Sequence, residues 1–273
     1  MCRWLAYYGP DLIMREILVD MPHSLIDQSL KANLGSVTNA DGFGLGWYGA
    51  AGAAVYRNTS PAWSDGNLRE IAGSVASRLF LAHVRASTGT PVQQTNCHPF
   101  RHGDWLWMHN GQVAEFPLLK RDLLLAVDPA LFPSILGSTD SELLFYLALT
   151  FGLDDDPPAA VARMVRFVAD CGARHGVPAP LKATIAVSDG NAIWAFRYAD
   201  RGRPPTLYRS ADPRTLRALY PEGEAWNAVA AEASLVVSEP LDDLPGSWLE
   251  IPEQSYLCVR SGPDVVRPFG PAG

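Results

Sequence analysis

Apolar and polar positions alternate with a period of two at several places in the first 110 residues, with β-branched and aromatic side chains at many of the apolar positions. The pattern predicts strands near Arg3 to Tyr8, Leu45 to Arg57, Arg78 to Val84 and Trp105 to His109. The period then lengthens. Thr139-Asp140-Ser141-Glu142 is a capping box that opens an apolar run to Phe151, and Asp156-Pro157 opens a helix whose Val161, Met164, Val165 and Val168 share one face. Alternation returns at Leu181 to Ser188 and Ala192 to Tyr198, which flank the tight-hairpin signal Asp189-Gly190. It recurs at Leu235 to Ser238, Trp248 to Ile251 and Tyr256 to Arg260. Groups of strands separated by a helical block, without βαβα alternation, predict an α+β fold of sheets covered by helices. The stretch from Asp200 to Asn227, rich in Arg, Pro and Gly, reads as irregular surface.

Composition narrows the class. A chain of 273 residues with 48% hydrophobic positions buries a large core, and without a linker, charge block or repeat it reads as one domain over residues 2–262 with a C-terminal tail at 263–273. The formal net charge is −7, with Lys and Arg scattered, which argues against a nucleic-acid partner. The N-terminus reaches Pro10-Asp11 without an apolar signal region, and the apolar stretch Leu143 to Phe151 is too short to span a bilayer, so no membrane partner is expected. Cys2, Cys97, Cys171 and Cys258 form no Cys-x-x-Cys pair; this is the usage of a reduced, cytoplasmic protein.

The chemistry begins at the second residue. Removal of Met1 leaves a thiol and a free α-amine on Cys2, so one residue supplies both nucleophile and base. An amine of pKa about 7.7 to 8.0 is suited to take the proton of a thiol of pKa about 8.5. Arg85, in His83-Val84-Arg85-Ala86-Ser87-Thr88-Gly89, follows a buried-looking apolar run and emerges at a strand end, where it either grips a ligand carboxylate or pairs with an acid of the fold. Asn110-Gly111, placed just after a strand, is first a turn signal. The same pair offers a side-chain amide and a backbone N–H to one point, an oxyanion hole for acyl transfer. Asp140 stands in a first helical turn, which the macrodipole favours without any function; as a functional group it would pair with a substrate ammonium. Asn39 to Gly46 is glycine-rich but opens no helix and is followed by no Gly-Lys-Ser/Thr, so it reads as a tight loop with close backbone approach rather than a phosphate cradle. Cys97, His98, His102 and His109 invite a zinc reading, yet their spacing fits no familiar metal motif. No metal or other cofactor is expected.

In this order, Cys2, Arg85 within His83 to Thr88, Asn110-Gly111 and Asp140 within Ser138 to Glu142, the residues resemble the class II glutamine amidotransferases of the N-terminal-nucleophile hydrolases. His23 to Ile26, Asp41 to Gly44, Pro61 to Trp63, Thr95 to Phe100 and Ser238 to Leu241 are similar to the amidotransferase-like subunit of the cytosolic glutathione-degradation complex, a branch of that family. The resemblance runs from Cys2 to about Arg260. It implies a four-layer αββα sandwich with the nucleophile at the tip of a central strand. It further implies that Cys2 attacks the γ-carbonyl of a γ-glutamyl small molecule, that Asn110 and Gly111 stabilise the oxyanion, and that Arg85, Asp140 and Thr88 hold the α-carboxylate and α-amino end. An ammonia acceptor would come from a synthase or peptidase partner subunit; otherwise water completes the reaction. The rival readings are a noncatalytic γ-glutamyl-binding subunit of a larger complex, a γ-glutamyl hydrolase of the ergothioneine-pathway type, and a metal-dependent hydrolase.

Overall fold

The computed structural model describes residues 2–31, 38–87, 89–219, 226 and 229–271. In chain order the strands are β1 (Arg3–Ile13), β2 (Phe43–Gly49), β3 (Gly52–Asn58), β4 (Ala76–Val84), β5 (Phe100–His102), β6 (Trp105–Val113), β7 (Leu181–Ser188), β8 (Ile193–Ala199), β9 (Tyr208–Ser210), β10 (Ser234–Val237), β11 (Trp248–Glu250), β12 (Ser255–Val259) and β13 (Val265–Pro268). The helices are α1 (Arg15–Leu18), α2 (Leu25–Leu30), α3 (Gly66–Ser74), α4 (Phe116–Leu125), α5 (Asp140–Thr150), α6 (Pro157–Arg174) and α7 (Pro213–Leu219). Two antiparallel sheets result: seven strands in the order β11-β9-β10-β1-β4-β2-β3, and six in the order β13-β12-β8-β7-β6-β5.

Alternation sorts the side chains into three apolar layers. Leu5 and Tyr7 of β1 pack with α1, α2, α3 and α7 on the outside of the first sheet, while Trp4 and Ala6 face the second sheet. On β6, Leu106 and Met108 meet them between the sheets, whereas Trp107 and Val113 turn outward to α4, α5 and α6. This is the αββα sandwich. Helix α6 forms where it was predicted: Asp156 caps it by accepting from Ala159 N, and the stripe Val161, Met164, Val165 and Val168 is buried, each side chain contributing about 1.5–3 kcal/mol. In α5 only half of the capping box closes. Thr139 accepts from Glu142 N at 3.2 Å, but the Glu142 carboxylate reaches back to Leu136 N and Gly137 N and fixes the preceding loop.

Several expectations are corrected. The strand predicted from Leu45 to Arg57 is a hairpin, β2 and β3, turning at Ala50-Ala51, with Gly49 opposite a positive-φ Gly52. Asn39 to Gly42 is loop, but Phe43 to Gly46 is strand; the close approach is real, since a Cβ on Gly44 would lie 2.2 Å from His98 O. The stretch expected to be irregular contains β9 and α7, stabilised by pairing with β10 and by burial of Leu216. Residues 265–268, set apart as tail, form β13 on β12, and Phe269 packs against Phe196, Tyr198 and Tyr256. Asn110-Gly111 is not a turn. Both residues lie inside β6, opposite Thr184 and Ala183 of β7. Gly111 has φ +144°, and a Cβ there would sit 1.9 Å from Lys182 O, so strand pairing rather than turn geometry requires the glycine. Among the described residues no helix is long and apolar enough to cross a membrane.

Candidate active site

Cys2 immediately precedes β1, which lies between β10 and β4 inside its sheet. Its Sγ rests on the chain that leaves β4: Ala86 N donates to Sγ at 3.3 Å, and the thiol faces Ala86 O at 3.4 Å. Burial pushes the Cys2 thiol up. The Ala86 N–H opposes that shift, as do the charges of the amino terminus, Arg85 and Arg3.

A cleft of about 480 Å³ opens over this sulfur and brings Cys2, Arg85, Gly111 and Asp140 to one place. Arg85 is 3% exposed, yet its guanidinium donates only to neutral oxygens: Asp41 O, Ser87 Oγ, Thr90 Oγ1 and Pro91 O. Among the described residues no carboxylate lies within 4.0 Å of it, so the structural ion pair weighed from the sequence is not what holds it. Asp140 is the complementary case. Its Oδ2 accepts from Val113 N at 2.8 Å and its Oδ1 from Ser141 N at 2.7 Å, again with no cation partner among the described residues. A buried guanidinium and a cleft-lining carboxylate, neither neutralised by the fold, face one cavity.

Asn110 sits on the other side of the nucleophile. Even-numbered positions of β6 point between the sheets, so its side chain meets His83 of β4, with Oδ1 3.2 Å from His83 Nε2, while Nδ2 donates to Cys2 O at 2.8 Å. The neighbouring His109 points the opposite way and bonds Ser141 Oγ at 2.8 Å. His83 stacks on His98, ring centroids 4.2 Å apart. All three imidazoles are buried, and burial pushes each down, His83 to about 3. All three are neutral at physiological pH; His83 and His109 each make one hydrogen bond, and neither ring nitrogen of His98 has a partner among the described residues. A base with a pKa near 3, as at His83, is poorly matched to a thiol.

Thr88 and Met1 lie outside the described residues. Cys97 Sγ is turned to Asn58 O and Gln93 O. The metal-capable group that does converge among the described residues is Asp122, Cys171 and His175, with ligand atoms within 4.8 Å of one another, and none of the three lines the cleft. Sequence reasoning missed Ala86, whose role is entirely backbone. It also missed Thr90 and Glu115; the latter enters the cleft from the left-handed position (φ 50°) that starts α4, a conformation no local motif announced.

Residues 17–213, which include Arg85, Asn110, Gly111 and Asp140, match the family described as glutamine amidotransferases class-II. The chain is 29% identical to the probable glutamine amidotransferase DUG3 of Saccharomyces cerevisiae, across 98% of this chain and 84% of that protein. It is 32% identical to the gamma-glutamyl-hercynylcysteine sulfoxide hydrolase of Mycobacterium tuberculosis, across 95% and 93%. Among solved structures, a glutamine aminotransferase class-II domain protein from Silicibacter pomeroyi superposes with a TM-score of 0.75 at 32% identity, covering both chains completely. A glutamine phosphoribosylpyrophosphate amidotransferase from Bacillus subtilis shares the fold, with a TM-score of 0.65 at 15% identity over 98% of this chain and 49% of that one.

Proposed function

The chain belongs to the class II glutamine amidotransferases, and from that premise we propose that Cys2 is the nucleophile of a γ-glutamyl amide hydrolase. The observation that carries the proposal is the pair of unneutralised charges beside the sulfur: Arg85 for an α-carboxylate and Asp140 for an α-ammonium, sharing one cleft with Cys2. With Met1 removed, the α-amine of Cys2 takes the thiol proton and Sγ adds to the γ-carbonyl. The oxyanion is met by Gly111 N–H and by the second amide hydrogen of Asn110, whose first is spent on Cys2 O; a donor so placed is worth roughly 3 kcal/mol of barrier. The amine passes the proton to the leaving nitrogen, the C–N bond breaks, and water cleaves the thioester to free glutamate and regenerate the thiol.

The relatives' names, one a probable glutamine amidotransferase and one a γ-glutamyl hydrolase, favour a small γ-glutamyl substrate. Four unpaired cysteines favour a cytoplasmic setting. A synthase or peptidase partner enters only if the ammonia or amine is passed on. The test is release of glutamate from glutamine, glutathione and other γ-glutamyl peptides by the full chain and by Cys2→Ala. Release should vanish in the variant; equal release would remove Cys2 as the nucleophile.

A further inference from the structure

Cys2 borders two cavities. The second, about 240 Å³, is walled by Cys2, Arg3, Asn110, the Pro204-Pro205 pair, Thr206 and Ser238. We propose that it receives the leaving amine, and that it selects amines carrying an uncharged body of several heavy atoms. The inference rests on the γ-glutamyl reading of the larger cleft.

Attack at the γ-carbonyl makes a carbon with four substituents: Sγ, the oxyanion, the glutamyl chain and the leaving nitrogen. On that reading the glutamyl chain lies on the side of Arg85 and Asp140, so the group on nitrogen departs elsewhere, and the second cavity is a space that also borders Cys2. Its size exceeds what ammonia needs, since ammonia is close to a water molecule, which fills roughly 30 Å³. Its chemistry differs from that of the cleft. Arg3 is ion-paired with the buried Glu239, so its charge is already matched. Asn110 spends one amide hydrogen on Cys2 O and offers the other to the oxyanion, and the remaining polar groups of the wall are engaged within the fold. Thr206 Oγ1 donates to Ser238 O at 2.8 Å, Ser238 Oγ accepts from Trp4 N at 2.9 Å, and Pro205 O accepts from Arg197 Nε at 3.0 Å. What remains is two proline rings and the Thr206 methyl, a surface that rewards apolar contact and offers no surplus cation to a second carboxylate. The reaction is unchanged by this choice. The Sγ–C bond forms, the C–N bond breaks, the thiol proton ends on the departing amine, and water supplies the atoms that restore the thiol and complete glutamate.

The experiment compares kcat/KM of the full chain, Met1 removed, for glutamine, γ-glutamyl-butylamide and γ-glutamylglycine, in the wild type and in Thr206→Trp and Pro205→Trp. The butylamide should exceed both glutamine and γ-glutamylglycine by about ten-fold, the scale set by a few buried methylenes. Each variant should lower the butylamide-to-glutamine ratio by about ten-fold. That ratio is read within one protein, so a folding defect that scales all three rates does not imitate the effect. Preference for glutamine or γ-glutamylglycine in the wild type, or a ratio unchanged in both variants, would overturn the leaving-group assignment and leave the γ-glutamyl reading standing. No turnover of any of the three would overturn both.

Discussion

Two buried arginines flank the nucleophile, and the fold treats them oppositely. Arg3 is 5% exposed and is neutralised by Glu239; Arg85 is 3% exposed and is solvated by two backbone carbonyls and two hydroxyls. A buried pair satisfies itself and serves the structure. A buried charge held only by neutral dipoles costs stability and keeps its field for something that arrives. On the proposed reading, the difference separates a side of Cys2 that would recognise a charged substrate end from a side that would not.

The comparison can be broken most sharply by exchanging each cation for an amide. Arg85→Gln should reduce kcat/KM for γ-glutamyl substrates by about 10²- to 10³-fold, the effect of losing about 3–4 kcal/mol of charge-assisted binding, while the melting temperature holds or rises. Arg3→Gln should do the converse in urea titrations, costing about 3 kcal/mol of stability because it breaks a buried ion pair by removing one of its charges. If both variants lost stability alike and activity alike, the contrast between the two arginines would carry no functional meaning. Asp140→Asn should follow with a loss of about 10²-fold, smaller than that of Arg85→Gln, because the amide keeps the shape but not the charge offered to an α-ammonium. Steady-state kinetics should show it mainly in KM.

The histidines beneath the site yield the smallest effect. His83 titrates near 3 in the folded protein and near 6.5 when unfolded, so above pH 6.5 it is neutral in both states and contributes no penalty. Below that pH the unfolded chain binds the proton and the folded one does not, and stability falls progressively until about pH 3. At pH 5 the loss from His83 alone is about 2 kcal/mol. Thermal melts at pH 7.5 and pH 5 should show the drop, and His83→Asn should reduce it.

Much of this was legible in the sequence, for reasons that differ by element. β4 and β7 announced themselves as short apolar runs buried on both faces, and α6 because it buries one regular stripe and carries its own cap. The β2–β3 hairpin stayed hidden because Gly49-Ala50-Ala51-Gly52 continues a run of small residues without a strong turn signal. Asn110-Gly111 was misread as a turn because β7 pairing overrides local preference. Arg85 and Asp140 were readable as candidates since each stands at the end of an element. That they remain unneutralised was not readable, because it depends on where every other carboxylate and cation folds. The second cavity joins residues 2, 3, 110, 204–206 and 238, and no motif spans such distances.

The central claim is that sulfur and α-amine on Cys2 together open a γ-glutamyl amide. Acid quenching during turnover of a γ-glutamyl amide, followed by peptide mass spectrometry, tests it directly. The account expects an N-terminal peptide that begins at Cys2 and carries one glutamyl group as a thioester. Continued turnover by a chain that retains Met1, or a glutamyl group found only on Cys97, Cys171 or Cys258, would contradict it.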